Sequence, residues 1–328
     1  MTNIYFAPME GITTPTYRKV HRKYFGGIDK YFSPFIVVTS AHHLKKRETR
    51  EYIPFEENMV PQILTAGGCD MAWAAKMLKN LGYGEVNLNL GCPAATVVTK
   101  GKGSGLLRDK YKLEKFFEEL FSESDLPEIS IKTRCGFVYH EEAEELAKIY
   151  AKYPFKEIIV HPRIREEYYQ GSPNLESFEI IKKKANSPVV YNGDIYSVSG
   201  YEEIIKKFPD ISGVMIGRGL LINPALAEEI KEKEDYANTN RENTGSRMDN
   251  NRHNAGRGIY NQRISDFMSE LYDEYMVIMS GERDVLFKLK ELWTYLSKNY
   301  PDAAQEYKAV MKSKNGAEYK AAVRRIIG

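Results

Sequence analysis

Glu85-Val86-Asn87-Leu88-Asn89-Leu90-Gly91-Cys92-Pro93 reads as a β-strand that breaks sharply into a loop. The strand ends in Asn89, a polar group that is costly in a packed interior unless it is hydrogen-bonded. Gly91 allows an unusual backbone turn and Pro93 fixes the exit. Between them sits a thiol. A thiol on a rigid turn at a strand end is placed to meet a ligand, as acid or nucleophile. Cys is also a small hydrophobe that buries well, and this segment does not by itself choose between the two.

Working outward, short β-like runs alternate with helical patterns up to about residue 232. The expected strands are Ile4–Ala7, Lys30–Ser33, Val60–Leu64, Glu85–Leu90, Ile129–Arg134, Glu157–His161, Pro188–Asn192 and Gly213–Gly217. Apolar residues at helical spacing predict helices over Asp70–Leu81, Glu141–Tyr153, Leu175–Lys184 and Gly200–Phe208. Eight strands alternating with helices match an α/β fold of the (β/α)8 TIM-barrel type. The rival is a doubly wound open sheet. It usually carries G-x-G-x-x-G after its first strand, where this chain has Ala7-Pro8-Met9-Glu10-Gly11.

Residues 1–235 are read as the barrel. Residues 236–258 lose apolar periodicity, are rich in Asn and Arg, and read as a flexible linker or insertion. From 259 to 328 the pattern is helical, predicting a small all-α C-terminal domain with helices over Tyr260–Met279, Arg283–Leu296, Ala303–Lys312 and Ala317–Ile327. Its cations, Lys298 and Arg325 among them, read either as a solvated surface or as a face for a polyanion.

Composition sets the outer bounds. The chain has 328 residues, 42% hydrophobic and 28% charged, enough for a sizeable core. A formal net charge of +2 neither demands nor excludes nucleic acid. Cys69, Cys92 and Cys135 are too widely spaced for a disulfide framework or a zinc motif, which suggests a reducing, cytoplasmic setting. No secretory signal and no apolar run of membrane-spanning length is visible. No obligate protein partner is inferred. Cys69 reads as structural, Cys135 can lie near the pocket, and His42, His43 and His140 lack metal-ligand spacing, so no metal is expected.

Barrel chemistry sits at the C-terminal ends of the strands. Six of the eight expected strands carry or end in functional polar groups: Gln62; Asn89 with Cys92; Lys132 and Arg134; His161 and Arg163; Asn192 and Asp194; Gly217 and Arg218. Such repetition is expensive without a shared ligand. Asn192-Gly193-Asp194 and Gly217-Arg218-Gly219 end the last two strands, where barrels commonly hold a phosphate. With Lys132 near the barrel centre, a flavin mononucleotide across the mouth suits the pattern.

At these positions the chain resembles the tRNA-dihydrouridine synthases. The resemblance is carried by Ala7-Pro8-Met9-Glu10-Gly11, by Asn87-Leu88-Asn89-Leu90-Gly91-Cys92-Pro93 with its sequel Lys100-Gly101-Lys102-Gly103-Ser104-Gly105, and by Ile131-Lys132-Thr133-Arg134. His161-Pro162-Arg163, Asn192-Gly193-Asp194 and Met215-Ile216-Gly217-Arg218-Gly219 follow in the family's order, covering nearly all of residues 4–224. It implies an FMN-dependent barrel that reduces the C5=C6 bond of selected tRNA uridines, with NADPH as reductant and Cys92 as the proton donor to C5. It also implies flavin contacts from Pro8, Met9, Gln62, Lys132, His161, Asn192, Asp194, Gly217 and Arg218. Asn89, Arg134 and Arg163 are expected on the substrate side. The helical tail resembles the family's tRNA-binding domain, and Lys45, Lys46, Arg47, Lys100, Lys102 and Arg108 are candidate phosphate contacts.

The chain departs from the family pattern after the sixth strand. The family commonly has His-Gly-Arg-Thr there; this chain has His161-Pro162-Arg163-Ile164, with Arg165 where a Lys is frequent. Two alternatives stand beside the favoured activity. One is another FMN barrel acting on a free pyrimidine or an enone, and the other is a non-catalytic RNA-binding relative.

Overall fold

A computed structural model of the chain describes residues 2–44, 46–242 and 252–328. Ten strand segments form one sheet: β1 Asn3–Phe6, β2 Lys30–Phe32, β3 Ile36–Val37, β4 Met59–Val60, β5 Gln62–Leu64, β6 Glu85–Leu90, β7 Glu128–Gly136, β8 Ile158–Ile164, β9 Val189–Tyr191 and β10 Gly213–Ile216. Every pairing is parallel. β2 pairs with β4 and β3 with β5, so β2–β3 and β4–β5 are each one barrel strand in two pieces. With β10 beside β1 and β1 beside β2, eight strands close the ring.

The breaks have a local cause. Pro34 and Pro61 lack the N–H that a ladder needs, so each interrupts its strand. The expected second strand, Lys30–Ser33, therefore misses its continuation at β3, and the expected third is split at Pro61. Just beyond Pro61, the Gln62 N–H donates to Ser33 Oγ at 3.0 Å across the interruption. The fifth and sixth strands extend further toward the mouth than the pattern predicts, to Gly136 and Ile164.

The barrel interior has two characters. Tyr5, Phe32, Val60, Ile159, Val190 and Met215 form an apolar cluster. On the β5–β7 side stand Gln62, Asn87 and Ser130, all fully buried, with Asn89 above them. Outside, helices pack their apolar faces onto the sheet. Gly68–Asn80 and Lys110–Phe121 bury Leu78, Leu113, Phe117 and Leu120. Each such side chain stabilises the fold by roughly 1.5–3 kcal/mol. Asp109, Asn174 and Ser197 cap their helices, each accepting a backbone N–H in the first turn.

The C-terminal region is helical: Arg252–Ile278, Glu282–Leu296, Ala304–Lys312 and Gly316–Ile327. The helix Leu226–Glu242 runs past the boundary expected at 235, and Arg252–Ile278 begins before 259. The remainder of the expected linker, residues 243–251, lies outside the described residues. Phe267 docks the bundle onto the barrel, edge-on to Tyr17 at 5.7 Å and to Phe25 at 5.3 Å. Among the described residues no helix is long and apolar enough to cross a membrane.

Candidate active site

A cavity of about 570 Å³ opens at the C-terminal ends of the strands, within the range of roughly 300–1,000 Å³ usual for ligand sites. Its walls bring together Pro8, Met9, Gln62, Asn89, Cys92, Lys132, Arg134, His161, Asn192, Asp194, Gly217 and Arg218. Arg163, expected on the substrate side, does not line it, and neither do the candidate phosphate contacts Lys100, Lys102 and Arg108.

Cys92 is half-buried on its loop. Asn89 Oδ1 accepts the N–H groups of Gly91 (3.1 Å) and Cys92 (2.9 Å), which ties the loop to the end of its own strand. The Cys92 carbonyl accepts both the backbone and the hydroxyl of Ser104, at 3.1 and 2.8 Å. Gly103 makes this approach possible. Its φ is +57°, and a Cβ there would lie 2.9 Å from the Cys92 carbonyl oxygen. Burial pushes the Cys92 thiol up, against the pull of the Ala94 N–H and Arg134, so it is protonated at neutral pH.

Lys132, on β7, is partly enclosed. Among the described residues nothing hydrogen-bonds or ion-pairs with its Nζ. Burial and then Arg134 pull its ammonium down to about 7, while Cys92 opposes this. His161, on β8, is neutral because burial and the cations Lys132, Arg134, Arg163 and Arg218 hold it well below its ordinary value. Arg163 Nη1 lies 2.9 Å from His161 Nε2. A guanidinium only donates, so Nε2 is the acceptor and the imidazole proton sits on Nδ1.

The two arginines expected on the substrate side make hydrogen bonds within the protein. Arg163 is fully buried and donates to the Gln170 and Gly171 carbonyls, to His161 and to both oxygens of Asp194. It lies beneath the cavity and holds His161 and Asp194 in place. Arg134 reaches the wall but donates to the carbonyls of Gly91, Ile164 and Tyr168, each within 2.8 Å. It ties the Cys92 turn to the loop after β8. That loop presents Tyr169, whose ring lies 5.5 Å from the Arg134 guanidinium and 5.3 Å from that of Arg218. Arg218 in turn donates to Asp194 at 2.5 Å.

Other expectations fall away from the site. Lys102 is buried with Nζ on the Val38 carbonyl, so it secures the loop and is not a free phosphate contact. Cys135 is fully buried, outside the cavity lining, with its thiol pushed up to about 12 by burial. Lys45 and the side chains of Lys46 and Arg47 lie outside the described residues.

Tyr295, which the sequence does not single out, and Lys298, named there only among the cations of the helical tail, line the cavity from the helical bundle. Nothing in the local sequence marks either as facing the mouth. They reach the mouth because the helix Glu282–Leu296 lies against the short helix Arg218–Ile222 that follows β10.

The fold and site define a barrel enzyme whose cation-lined mouth is shared with a helical appendage. The chain belongs to the dihydrouridine synthase (Dus) family, whose model matches residues 5–323. A probable tRNA-dihydrouridine synthase of Rickettsia bellii is 30% identical over 236 residues, 70% of either chain. The tRNA-dihydrouridine(16) synthase of Neisseria meningitidis serogroup B is 29% identical over 245 residues, 71% of this chain and 72% of that one. Among solved structures, a 2-naphthoyl-CoA reductase complex is similar at TM-score 0.53 and 11% identity, over 70% of this chain and 50% of that one. A mutant morphinone reductase in complex with tetrahydroNAD reaches TM-score 0.52 at 9% identity, over 70% and 86%. At such identities the likeness is one of fold.

Proposed function

We propose that the protein reduces the C5=C6 bond of specific uridines in tRNA to dihydrouridine, with FMN in the barrel mouth and NADPH as reductant. The observation that carries the cofactor is the partly enclosed ammonium of Lys132 in the cavity wall, which has no hydrogen-bond or ion-pair partner among the described residues. Of the two carboxylates lining that cavity, Asp194 is already engaged by Arg163 and Arg218, and Glu10 is exposed at the rim. Such a cavity suits an anionic, planar ligand. Bound there, FMN would supply the hydride for uracil C6, with NADPH as its reductant.

The chain's own residues do the rest. Cys92 holds the proton for C5, and its raised thiol keeps that proton at neutral pH. Asn89 and Ser104 fix the loop that carries it. Lys132 draws negative charge to the base of the mouth. Arg218, with backbone groups around Gly193 and Gly217, would hold the phosphate. Pro8 and Met9 give an apolar wall, and Gln62, Asn192 and the Nδ1–H of His161 offer directional contacts. Tyr295 and Lys298 form the tRNA side of the mouth, so that residues 1–235 act as the FMN-binding barrel and 259–328 as the tRNA-binding unit. A tRNA substrate and a reducing setting suit the cytoplasm.

The test is Cys92→Ala. The variant should stay yellow and let NADPH bleach its flavin, yet lose dihydrouridine formation on unmodified tRNA by about 10²-fold or more. Wild-type turnover in that variant would remove Cys92 from the reaction.

A further inference from the structure

A file of side chains runs through the barrel from its N-terminal end to the Cys92 loop. Lys30 Nζ lies 2.7 Å from Glu85 Oε2 and 3.1 Å from Glu157 Oε1. Ser130 Oγ is 2.7 Å from Glu85 Oε1. Asn87 Nδ2 is 3.0 Å from Ser130 Oγ, and Gln62 Nε2 is 2.8 Å from Asn87 Oδ1. Asn89 Nδ2 is 2.7 Å from Gln62 Oε1. Asn89 Oδ1 then takes the Gly91 and Cys92 N–H groups.

The file has a direction. A carboxylate only accepts, so Ser130 donates to Glu85 and offers its lone pairs to Asn87. Each amide beyond must then point its oxygen toward the mouth-side neighbour. The last oxygen, on Asn89, faces two backbone N–H donors. The reverse orientation would set an NH₂ group against those donors. Gln62, Asn87 and Ser130 are fully buried, leaving no bulk water to repair a reversed link.

We infer that Glu85 is a positioning residue for the chemistry at the opposite end of the barrel, its carboxylate setting the direction of the hydrogen-bonded file that holds the Cys92 loop. This rests on the uridine-reducing role proposed for Cys92. Lys30 locks the far end. In Glu85→Gln, Lys30 takes the new amide oxygen, because an ammonium only donates. The amide NH₂ then turns toward Ser130, whose hydroxyl loses its short acceptor and keeps only the Val86 carbonyl at 3.5 Å, so the file is weakened at that link. In Ser130→Ala the link is missing while the Lys30–Glu85–Glu157 cluster is kept. Tyr5→Phe is the control: its hydroxyl bonds Glu157 at 2.9 Å, at the same end of the barrel but off the file.

The experiment uses the flavin-loaded full chain. Cys92 alkylation by iodoacetamide at one fixed pH is followed by peptide mass spectrometry, alongside kcat and KM on tRNA. Glu85→Gln and Ser130→Ala should alkylate Cys92 several-fold faster, with kcat about tenfold lower and KM for tRNA within about twofold, as for a misplaced reacting group. Tyr5→Phe should match wild type in all three. Wild-type alkylation and kcat in a folded Ser130→Ala variant overturns the inference, and it decides alone if Glu85→Gln does not fold. An equal loss in Tyr5→Phe also overturns it, by showing that the cluster acts through general stability. If Cys92→Ala kept full turnover, the acid role would fall, while faster alkylation in both file variants would still support the positioning role.

Discussion

Replacing Lys132 with Met separates what the site needs from what the fold prefers. In the flavin-free protein the Lys132 ammonium is pulled from its ordinary value of 10.5 to about 7, first by burial and then by Arg134. The unfolded chain retains the ordinary value. Between about pH 7 and pH 10.5 the unfolded state therefore binds more protons, and wild-type stability rises with pH as the penalty for the enclosed charge is lifted. At 1.36 kcal/mol per pKa unit, that penalty is about 4 kcal/mol at pH 7 and about 1 kcal/mol near pH 9.5. Lys132→Met, with a side chain of similar length and no charge, should be more stable than wild type at pH 7 by an amount of that order. The gap should shrink by about 3 kcal/mol near pH 9.5. Urea unfolding of both flavin-free proteins at the two pH values measures it. The same variant should bind FMN more weakly, read by flavin fluorescence on dilution. A variant no more stable than wild type at pH 7, or a gap that does not shrink, would show the ammonium to be solvated or paired and would refute the reasoning.

Three further outcomes follow from the geometry. Arg163→Met removes a fully buried guanidinium from His161 and from Asp194, which keeps Arg218, and should destabilise the protein by about 1–3 kcal/mol, seen in the denaturant midpoint, with loss of flavin on purification. Gly103→Ala places a Cβ 2.9 Å from the Cys92 carbonyl at φ +57°, so it should lower kcat for dihydrouridine formation while bound flavin remains. Lys298→Glu puts a negative charge on the bundle side of the cavity; tRNA binding should weaken and NADPH oxidation without tRNA should be unchanged, by filter binding and the loss of NADPH absorbance.

Much of the barrel is legible in the chain because its strands are short apolar runs of similar length separated by helical periods. Prolines 34 and 61 obscure the second and third strands, since a break in the ladder looks like a strand end when only one chain segment is in view. The residues of the cavity are legible for a related reason. Barrel strands all point their C-terminal ends at one mouth, so polar residues ending successive strands converge wherever the strands are known.

What each of those residues does is another matter. Sequence alone, through spacing and family resemblance, selects Cys92, Lys132 and His161 and brings Arg134 and Arg163 along as equals. Only the tertiary structure shows that Arg163 spends its donors inside the protein and that Arg134 ties three loop carbonyls together while still lining the cavity, because partners such as Gly91, Tyr168 and Gly171 are set by how loops from different strands meet. The same holds for Tyr295 and Lys298, which join the mouth through the docking of a helix bundle on the barrel, and for the file from Glu85 to Asn89. Strand register brings Gln62 beside Asn87 and Asn87 beside Ser130. Residue types along the chain carry the chemistry; the closure of the barrel decides which of them touch.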